Sequence, residues 1–570
     1  MAESLLDGLS STAPIQTLCT GALLLYITWK LISLTRFYMH GRRSGFPVFI
    51  APFPTKNIIW MVITPMLQPL LQKYIPEPLY TRLDVAIYGW ECRQKAEIHG
   101  RVGKTFVLVT LDECTLWVAD PAIANVIVQR RKDFLQPEIV GKVMGLFGAN
   151  VITANGAEWQ RQRKMVTPNL NEGISKIVWD ESCRQACQMN TYLLSNANSD
   201  SGNKTLSGLK SVAINVMGFA GYGQKQEWAP DFESIGADIQ DGRGLYFETV
   251  SLVAQMLLEA ALVPSAILKL PFMPERLQRL GRRKEHMPEY TKAVLDMERK
   301  QAATTSTRDS TSTAQNSFIK VLVRCADEAK RGGVSGMYLS DQEISGNLFI
   351  FTVAGFEATA NTMGYAVLFL AAYPEWQDWI REELGHLPAD PLAWKYDEVF
   401  PRSKRVLAVM YETLRIFTAV MHAVRSVSTP QTLASETISH LLLPPMEIYV
   451  SMQIMHADPD LYGADYADFK PSRWIDDKGN LISLPKGTFM PWSGGPRICP
   501  GMKMAQVEFV ATVATLFRGA VVEPVPIAGE SAEQARNTLL RLMEGPVAQV
   551  SLQVREPEKV KLRWKEIAAE

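Results

Sequence analysis

The chain has 570 residues, of which 47% are hydrophobic, and its 59 basic residues balance 59 acidic ones. A formal net charge of zero excludes the basic excess typical of nucleic-acid binding and the acidic tails typical of disorder. The length alone would allow roughly three or four domains. The seven cysteines show no paired framework, which favours a reducing compartment.

An apolar stretch near the N-terminus, residues 15–35, is long enough to cross a bilayer, which takes about 20 residues. Basic residues follow it between positions 36 and 43, whereas only acidic residues precede it. This asymmetry predicts that residues 1–14 are lumenal, that residues 15–35 are a transmembrane anchor, and that the bulk of the chain is cytosolic. A cleaved signal peptide is the alternative, but it would carry positive charge before the apolar run.

Residues 36–83 form a membrane-proximal segment in this interpretation. Its apolar part, residues 46–71, contains five prolines and therefore does not resemble a regular membrane span. We expect it to lie in the membrane interface or to cap the following domain, with a plain buried connector as the alternative. Strand-like runs follow at residues 106–110 and 116–118.

Residues 84–570 are expected to form one large domain. It contains a low-complexity stretch, residues 301–316, whose serine- and threonine-rich composition cannot build a core and predicts a mobile surface loop. Earlier in the domain, Trp159 and Arg163 are four residues apart, which places them on one face of a helix.

The run from residue 340 to residue 372 predicts one long apolar helix. In its middle, Glu357 follows the sequence Ala354-Gly355-Phe356. A buried carboxylate in an apolar helix is expensive unless it has a partner or a task. Glu357 is therefore a candidate functional residue, with a satisfied core carboxylate as the alternative.

Two charged motifs follow this helix. Glu412 and Arg415 are three residues apart and meet on one helix face. Taken alone, such a pair is usually a solvated salt bridge of small worth. A further basic residue, Arg473, lies in the segment 469–474 downstream of the pair.

Near the end of the domain, Cys499 lies in a loop with Gly494 and Gly495 before it and Gly501 after it. Glycines allow positive φ angles and a close approach of the backbone to a flat ligand. The following helix N-terminus and the nearby Arg497 favour a thiolate. Such a thiolate is a plausible ligand of haem iron, whereas the alternative is a buried structural cysteine.

The spacing Trp492-x-x-Gly495-x-Arg497-x-Cys499-x-Gly501 resembles the haem-binding signature of the cytochrome P-450 monooxygenases. The chain resembles the microsomal, membrane-anchored type, and fungal members in particular, over roughly residue 84 to the end. The resemblance implies a mainly α fold, in which a large helical domain with a small β-rich region follows an N-terminal transmembrane helix. It also implies a haem b cofactor whose iron has Cys499 as its axial ligand.

The resemblance assigns roles to the other motif residues as well. Cofactor binding is implied for Cys499, Trp159, Arg163, Arg425, Arg497, Trp492, Gly495 and Gly501, of which Trp159 and the three arginines are implied to pair with the haem propionates. A structural role beneath the haem loop is implied for Glu412, Arg415 and Arg473. Proton delivery to bound dioxygen is implied for Glu357 and Thr359, which we treat as catalytic.

One departure from the family pattern concerns this proton delivery. The family's threonine usually follows the acid directly, but that position holds Ala358 here. Thr359 comes one residue later, about 100° further round the helix. We expect a local distortion to turn its hydroxyl inward, and an ordered water is the alternative.

The sequence thus predicts a haem-thiolate monooxygenase of the endoplasmic reticulum membrane that oxidises a lipophilic small molecule, such as a secondary metabolite. Electrons would come from NADPH–cytochrome P-450 reductase, because the sequence shows no flavin or nicotinamide site of its own. Residues 418–422 should line the pocket, where His422 is expected to be hydrogen-bonded in a turn. Two alternatives stay open, namely a haem-thiolate isomerase or dehydratase that needs no O₂, and a non-catalytic haem-binding membrane protein.

Overall fold

The computed structural model describes residues 3–53, 58–196, 204–231, 242–304, 317–331, 338–434, 439–526, 529–548 and 551–567. The chain divides into two units, and each is described by itself. The first consists of Met1–Leu135 and His422–Met455, and the second of Gln136–Met421 and His456–Glu570.

The first unit begins with the 40-residue helix α1, Glu3–Arg42. Within the described residues, Thr17–Arg42 is the one helical stretch long and apolar enough to cross a membrane, with a mean hydropathy of 1.5 and none of its apolar window buried. The helix extends beyond the predicted anchor of residues 15–35 at both ends. Its last turns pack on this unit, where His40 Nε2 lies 3.0 Å from the carbonyl oxygen of Leu443.

The other helices of the first unit are α2 (Ile58–Tyr74), α3 (Glu77–Asp84), α4 (Trp90–Gln94), α5 (Glu97–Val102), α6 (Pro121–Gln129) and α20 (Met452–Met455). Its strands are β1 (Val48–Ile50), β2 (Thr105–Val109), β3 (Cys114–Val118), β4 (Phe134–Leu135), β5 (His422–Val427), β6 (Gln431–Ala434), β7 (Ser439–Leu442) and β8 (Met446–Ser451). Six strands form a mixed sheet in the order β1-β2-β3-β8-β5-β4, and β6 pairs with β7. The predicted strands at 106–110 and 116–118 are present as β2 and β3.

The core of the first unit is aromatic. Trp117 stacks on Tyr449 with ring centroids 4.5 Å apart, and Trp90 meets Trp117 edge-on at 5.0 Å. His422 lies beside this cluster, where its Nδ1 is 3.1 Å from Oε1 of the buried Glu91. His422 is therefore hydrogen-bonded, as expected, although it begins strand β5 and does not lie in a turn.

The second unit is mainly helical. Its helices are α7 (Glu138–Met144), α8 (Gly156–Val166), α9 (Glu172–Ser195), α10 (Thr205–Tyr222), α11 (Gly242–Gln255), α12 (Leu257–Leu262), α13 (Ser265–Leu268), α14 (Glu275–Thr304), α15 (Phe318–Arg331), α16 (Asp341–Ala372), α17 (Pro374–Leu384), α18 (Tyr396–Val399), α19 (Lys404–Ile416), α21 (Pro459–Tyr462), α22 (Met502–Arg518) and α23 (Ala532–Met543). Its strands are β9 (Ala520–Pro524), β10 (Val547–Ala548), β11 (Leu552–Gln553) and β12 (Leu562–Glu566), paired as β9–β12 and β10–β11.

The predicted loop at residues 301–316 needs a correction at its start. Residues 301–304 are the last turn of α14, because the helical pattern of this charged helix continues into the first residues of the polar run. The remainder of the predicted loop lies outside the described residues.

The predicted helix over 340–372 is present as α16. Ser340 caps it, since its hydroxyl accepts a hydrogen bond from the N–H of Glu343 while the Glu343 side chain accepts one from the N–H of Ser340. Helix α10 runs antiparallel along it, with Leu206 near Gly364 at one end and Tyr222 bonded to the carbonyl of Leu348 at the other. Most side chains of α16 are buried in the core of this unit.

Candidate functional site

The loop that carries Cys499 is closed by its own backbone. The N–H of Cys499 donates to the carbonyl of Trp492 at 2.9 Å. Two residues inside the loop have positive φ angles, 61° at Ser493 and 63° at Gly495. Gly501 has a φ of −87° and does not need the conformational freedom of glycine. Gly501 leaves space beside the thiol, because a Cβ at this position would lie 3.9 Å from the Cys499 Sγ.

The Cys499 thiol faces an enclosed space. The residue is exposed, yet desolvation by the surrounding protein raises the pKa of its thiol. The N–H groups of Gly501 and Met502 and the positive charge of Arg163 act in the opposite direction and favour the thiolate. We expect a residue that is both accessible and desolvated to border a cavity.

The cation that acts on the Cys499 thiol differs from the one that the sequence predicts. We expected Arg497 to lie beside the thiol, but Arg163 is the cation that acts on the pKa of Cys499. Arg163 Nη2 donates to the carbonyl of Ile498 at 2.8 Å. Arg497 instead turns toward helix α8, because its guanidinium carbon lies 4.8 Å from the centroid of the Trp159 ring.

Arg497 also ties the cysteine loop to the segment before α8. Its Nη2 donates to the carbonyl of Ala154 at 2.7 Å and to Oδ1 of Asn155 at 2.9 Å. The structure thus brings Trp159, Arg163 and Arg497 together with Cys499 in the second unit. Cationic side chains around an internal cavity fit a ligand that carries carboxylates.

Arg425, the fourth predicted partner of the propionates, belongs to strand β5 of the first unit. It is 3% exposed, and burial lowers the pKa of its guanidinium to about 10. Its Nη1 donates to the adjacent carbonyl of Val424 at 2.8 Å, but its Nε has no hydrogen-bond partner in the described part of the chain. A buried cation of this kind calls for an anion, and Arg425 stays a predicted propionate ligand.

Helix α16 has one face that opens onto a space. Ala354 is exposed and Ala358 is partly exposed, although most of the surrounding side chains are buried. Ala358 presents a methyl group there. Thr359 lies about 140° from Ala354 around the helix axis, and its hydroxyl donates to the carbonyl of Gly355 at 3.2 Å. The helix is regular from Asp341 to Ala372, so the expected distortion that would turn Thr359 inward is absent.

Glu357 is buried without full compensation. It is 6% exposed, and its Oε2 has no hydrogen-bond partner among the residues that the structure describes. Burial raises its pKa to about 7, while the charge of Lys210 on α10 acts to lower it. Lys210 was not predicted, because nothing in the sequence indicates which residue of α10 faces Glu357. A carboxyl group with this pKa can both hold and release a proton near neutral pH.

Gly355 makes room for a neighbouring helix. A Cβ at this position would lie 3.0 Å from Sδ of Met217 on α10. The missing side chain thereby allows α10 to approach α16.

The loop between α7 and α8 rests on the first turns of α16. A Cβ on Gly346 would lie 2.4 Å from the carbonyl oxygen of Gly148, so only glycine allows this approach. Asn347 accepts a hydrogen bond from the N–H of Val151 at 3.1 Å and donates to Oε1 of Gln162 on α8 at 2.9 Å. Helix α8, with its two predicted haem-binding residues, is thereby fixed against α16.

Glu412 is the centre of a buried network beneath the cysteine loop. Its two carboxylate oxygens accept from Nε and Nη2 of Arg415, each at 2.9 Å. Arg473 Nε and Trp474 Nε1 each donate to the same carboxylate at 2.9 Å. Glu412 and Arg415 are 0% and 1% exposed, so this is no solvated surface pair. The indole partner Trp474 was not predicted.

The network continues to the start of the cysteine loop through His456. Arg415 Nη1 donates to the carbonyl of His456 at 3.1 Å, and the Nε2 of His456 accepts from the N–H of Met490 at 2.9 Å. Burial, together with the charge of Arg415, lowers the pKa of His456 to about 3, so the ring stays neutral. Trp492 packs nearby, with its ring 5.9 Å from that of Tyr411 on α19.

Comparison with known proteins gives consistent matches. A family model described as Cytochrome P450 matches residues 88–545. The "Phomenoic acid biosynthesis cluster cytochrome P450 monooxygenase" of Leptosphaeria maculans is 31% identical over 91% of this chain and 93% of the relative. "Cytochrome P450 monooxygenase prx9" of Penicillium rubens is 26% identical over 89% and 91%. A crystal structure titled "Cytochrome P450 (CYP102L1)" shares the fold with a TM-score of 0.62 at 18% identity, covering 84% of this chain and 94% of that one.

Proposed function

Because this chain belongs to the cytochrome P450 family, whose members are haem-thiolate iron proteins, we propose that it is a membrane-anchored monooxygenase acting on a lipophilic small molecule. The observation that carries this proposal is the Cys499 thiol, which is desolvated and yet accessible from an internal cavity. The reaction inserts one oxygen atom of O₂ into the substrate.

The residues around the cavity fit a haem. A bound haem supplies the redox and oxygen chemistry, with a thiolate ligand that donates electron density to the iron. Cys499 provides the thiolate, and the N–H groups of Gly501 and Met502 stabilise its charge. Arg163 and Arg497, together with Trp159, bind carboxylates of the cofactor. The accessible alanine face of α16 leaves room for a flat ligand.

Glu357 holds the proton that the reaction consumes. Its pKa of about 7 places it half protonated at neutral pH, and Lys210 tunes this value. Neither Ala358 nor the back-bonded Thr359 offers a hydroxyl on the open face of α16. We therefore assign proton supply to Glu357 acting through water.

Three features support the proposed partners and location. The sequence has no flavin or nicotinamide site of its own, so electrons come from an NADPH-dependent cytochrome P-450 reductase. A relative named for a biosynthetic cluster, the phomenoic acid protein, supports a secondary metabolite as substrate. Helix α1 supports a single-pass anchor in the endoplasmic reticulum membrane with a cytosolic catalytic part.

The test combines spectroscopy with turnover. The full chain, purified in lipid with a microsomal reductase, should show the thiolate-type band of the reduced carbon monoxide complex. With extracts of lipophilic metabolites it should consume NADPH and O₂ and form oxygenated products. Product formation without NADPH or O₂ would instead identify an isomerase or dehydratase, the alternative that the methyl group of Ala358 favours. A protein that binds haem but converts nothing would contradict both enzyme assignments.

The proton role of Glu357 predicts a pH dependence. A carboxyl group keeps its proton below its pKa and loses it above, so the fraction of NADPH electrons that reach product should fall as pH rises through about 7. Glu357→Gln should lower this fraction several-fold and remove the pH dependence. Lys210→Met should move the midpoint to higher pH, because the charge of Lys210 lowers the pKa of Glu357.

Thr359→Ala is the matched control for this experiment. Its hydroxyl is bonded to the helix backbone, so peroxide release and coupling should stay close to wild type. A large loss in Thr359→Ala combined with an unchanged pH profile in Glu357→Gln would contradict the assignment.

Membrane attachment is expected to survive loss of the anchor. Deletion of residues 1–36 removes most of the apolar window of α1, but helices α2 and α3 still expose apolar side chains, namely Leu67, Leu70, Tyr74 and Leu79. Buried apolar area at the interface gives binding without a membrane span. Flotation with liposomes should recover part of the truncated protein, and the variant L70E/Y74E in the truncated chain should reduce that part further. Complete solubility of the truncated protein would contradict an interfacial α2.

A further inference from the structure

We propose that Asn361 is a specificity-determining residue, whose side-chain amide accepts a hydrogen bond from a hydroxyl group of the lipophilic substrate. The inference rests on the proposed function, since it concerns the substrate cavity of that enzyme. It adds a substrate class, namely lipophilic alcohols.

Asn361 lies on the open face of α16. It follows Ala354 by seven residues, which is about 20° away around the helix axis, and it follows Ala358 by three. Ala354 is the exposed and Ala358 the partly exposed residue of this face. Asn361 is therefore the next side chain along the same face, one helical turn beyond the alanine that replaces the usual threonine.

The amide of Asn361 is held in place on one side only. Its Nδ2 donates to Oγ of Ser551 at 2.9 Å, and Ser551 is itself buried. Its Oδ1 accepts no hydrogen bond from any residue within the described ranges, although Asn361 is only 8% exposed. The amide oxygen is therefore an open acceptor on this side chain, which a donor group of a ligand can satisfy.

The hairpin that holds the amide also borders the predicted pocket segment. The N–H of Leu552, the residue after Ser551, donates to the carbonyl of Ala419 at 2.9 Å. In the same segment, Val420 is 45% exposed between the buried or half-buried Ala419 and Met421. The hairpin thus contacts both the amide and the pocket segment, and the alanine and valine side chains there favour an apolar ligand body.

These contacts define what the ligand must offer. One N–H of Nδ2 is engaged by Ser551, and Oδ1 is an acceptor without a partner, so a ligand with a donor satisfies the amide best. A hydroxyl group satisfies it, whereas an ether or a plain alkane leaves Oδ1 unsatisfied. A site built to bond a hydroxyl rejects the analogue that lacks it, because its own polar group is then left unpaired.

A purely structural role would have different consequences. If the Asn361–Ser551 pair only ties α16 to the β10–β11 hairpin, loss of either side chain should lower the thermal midpoint alike and leave ligand preference unchanged. If Asn361 accepts a hydrogen bond from the substrate hydroxyl, Asn361→Leu should change the ligand preference. Ser551→Ala should retain the wild-type preference, because Oδ1 of Asn361 is still present.

The experiment uses the full-length holoprotein in lipid and two probes of equal body, dodecan-1-ol and 1-methoxydodecane. Dissociation constants come from the ligand-induced shift of the haem absorption and, independently, from calorimetry. We expect wild type to bind the alcohol about tenfold more tightly than the ether, a difference of about 1.4 kcal/mol. In Asn361→Leu the two ligands should bind within about twofold of each other, and in Ser551→Ala the preference should persist.

The inference is overturned if wild type does not prefer the alcohol, or if Asn361→Leu keeps the preference. Should Asn361→Leu fail to incorporate haem, Asn361→Ser takes its place in the experiment. This variant should also lose the preference for the alcohol, because its shorter side chain cannot reach the position of Oδ1. Failure of the proposed function is seen separately, as a wild-type protein without the thiolate-type carbon monoxide band or without NADPH-dependent turnover.

Discussion

Replacing Cys499 by alanine is expected to abolish the thiolate-type band of the reduced carbon monoxide complex and all turnover. The physical reason is that the band needs a thiolate bound to iron, and Cys499 is the thiol that the loop of Ser493 and Gly495 presents to the cavity. The loss should be complete, because alanine offers no ligand atom at this position. The measurement is the carbon monoxide difference spectrum of the purified variant.

Cys183→Ala is the matched control. Cys183 is a buried cysteine of the same unit, and it lies on α9 in the hydrophobic core. Its removal should reduce stability modestly and leave the band in place. Retention of the band in Cys499→Ala would show that another residue binds the iron.

The sequence was sufficient for the family, the fold class and the cofactor, all of which the comparisons confirm. The reason is that the thiolate loop is a short segment with fixed spacing, and the helix over 340–372 has a long apolar pattern that begins after the capping residue Ser340. Such features depend on neighbours in the chain, so they can be read without knowledge of the packing.

What the sequence did not predict depends on contacts between distant segments. Arg497 is two residues from Cys499, yet Arg163, more than 300 positions earlier, is the cation that acts on the thiol. Lys210 acts on Glu357 only because α10 packs along α16. Trp474 joins Glu412 through its indole N–H, which no helical spacing indicates. Proximity in sequence was a poor guide in each case.

Thr359 illustrates a conflict between a motif and local energetics. The resemblance favoured a distorted helix that would bring its hydroxyl to the cavity. A threonine inside a helix can satisfy its hydroxyl on the carbonyl four residues earlier, and Thr359 does so with Gly355. A regular helix thus satisfies the hydroxyl without any distortion.

Arg415→Ala is expected to prevent accumulation of folded holoprotein. The substitution leaves the Glu412 carboxylate buried but removes the cation that binds both of its oxygens. Removing one partner of a buried pair lowers the free energy of unfolding by about 3–5 kcal/mol. That is a large part of the roughly 5–15 kcal/mol by which typical domains are stable. Arg415 also bonds the carbonyls of His456, Tyr466 and Asp468, so the segment leading to the cysteine loop loses its support as well. Haem content per protein and the thermal midpoint measure the effect.

Lys395→Ala separates this effect from the general loss of an ion pair. Lys395 pairs with Glu398 three residues away, as Arg415 pairs with Glu412, but both members of this pair are largely exposed. An exposed pair is worth about 1 kcal/mol or less, so this variant should keep wild-type haem content. If Arg415→Ala also kept normal haem content and stability, Arg473 and Trp474 alone would suffice to hold Glu412.

The triple variant E412M/R415L/R473M would then distinguish the sources of stability, because it removes the buried charges together. A stable triple variant that binds no haem would show that the network serves the geometry of the cysteine loop, whereas an unstable one would show that it holds the fold.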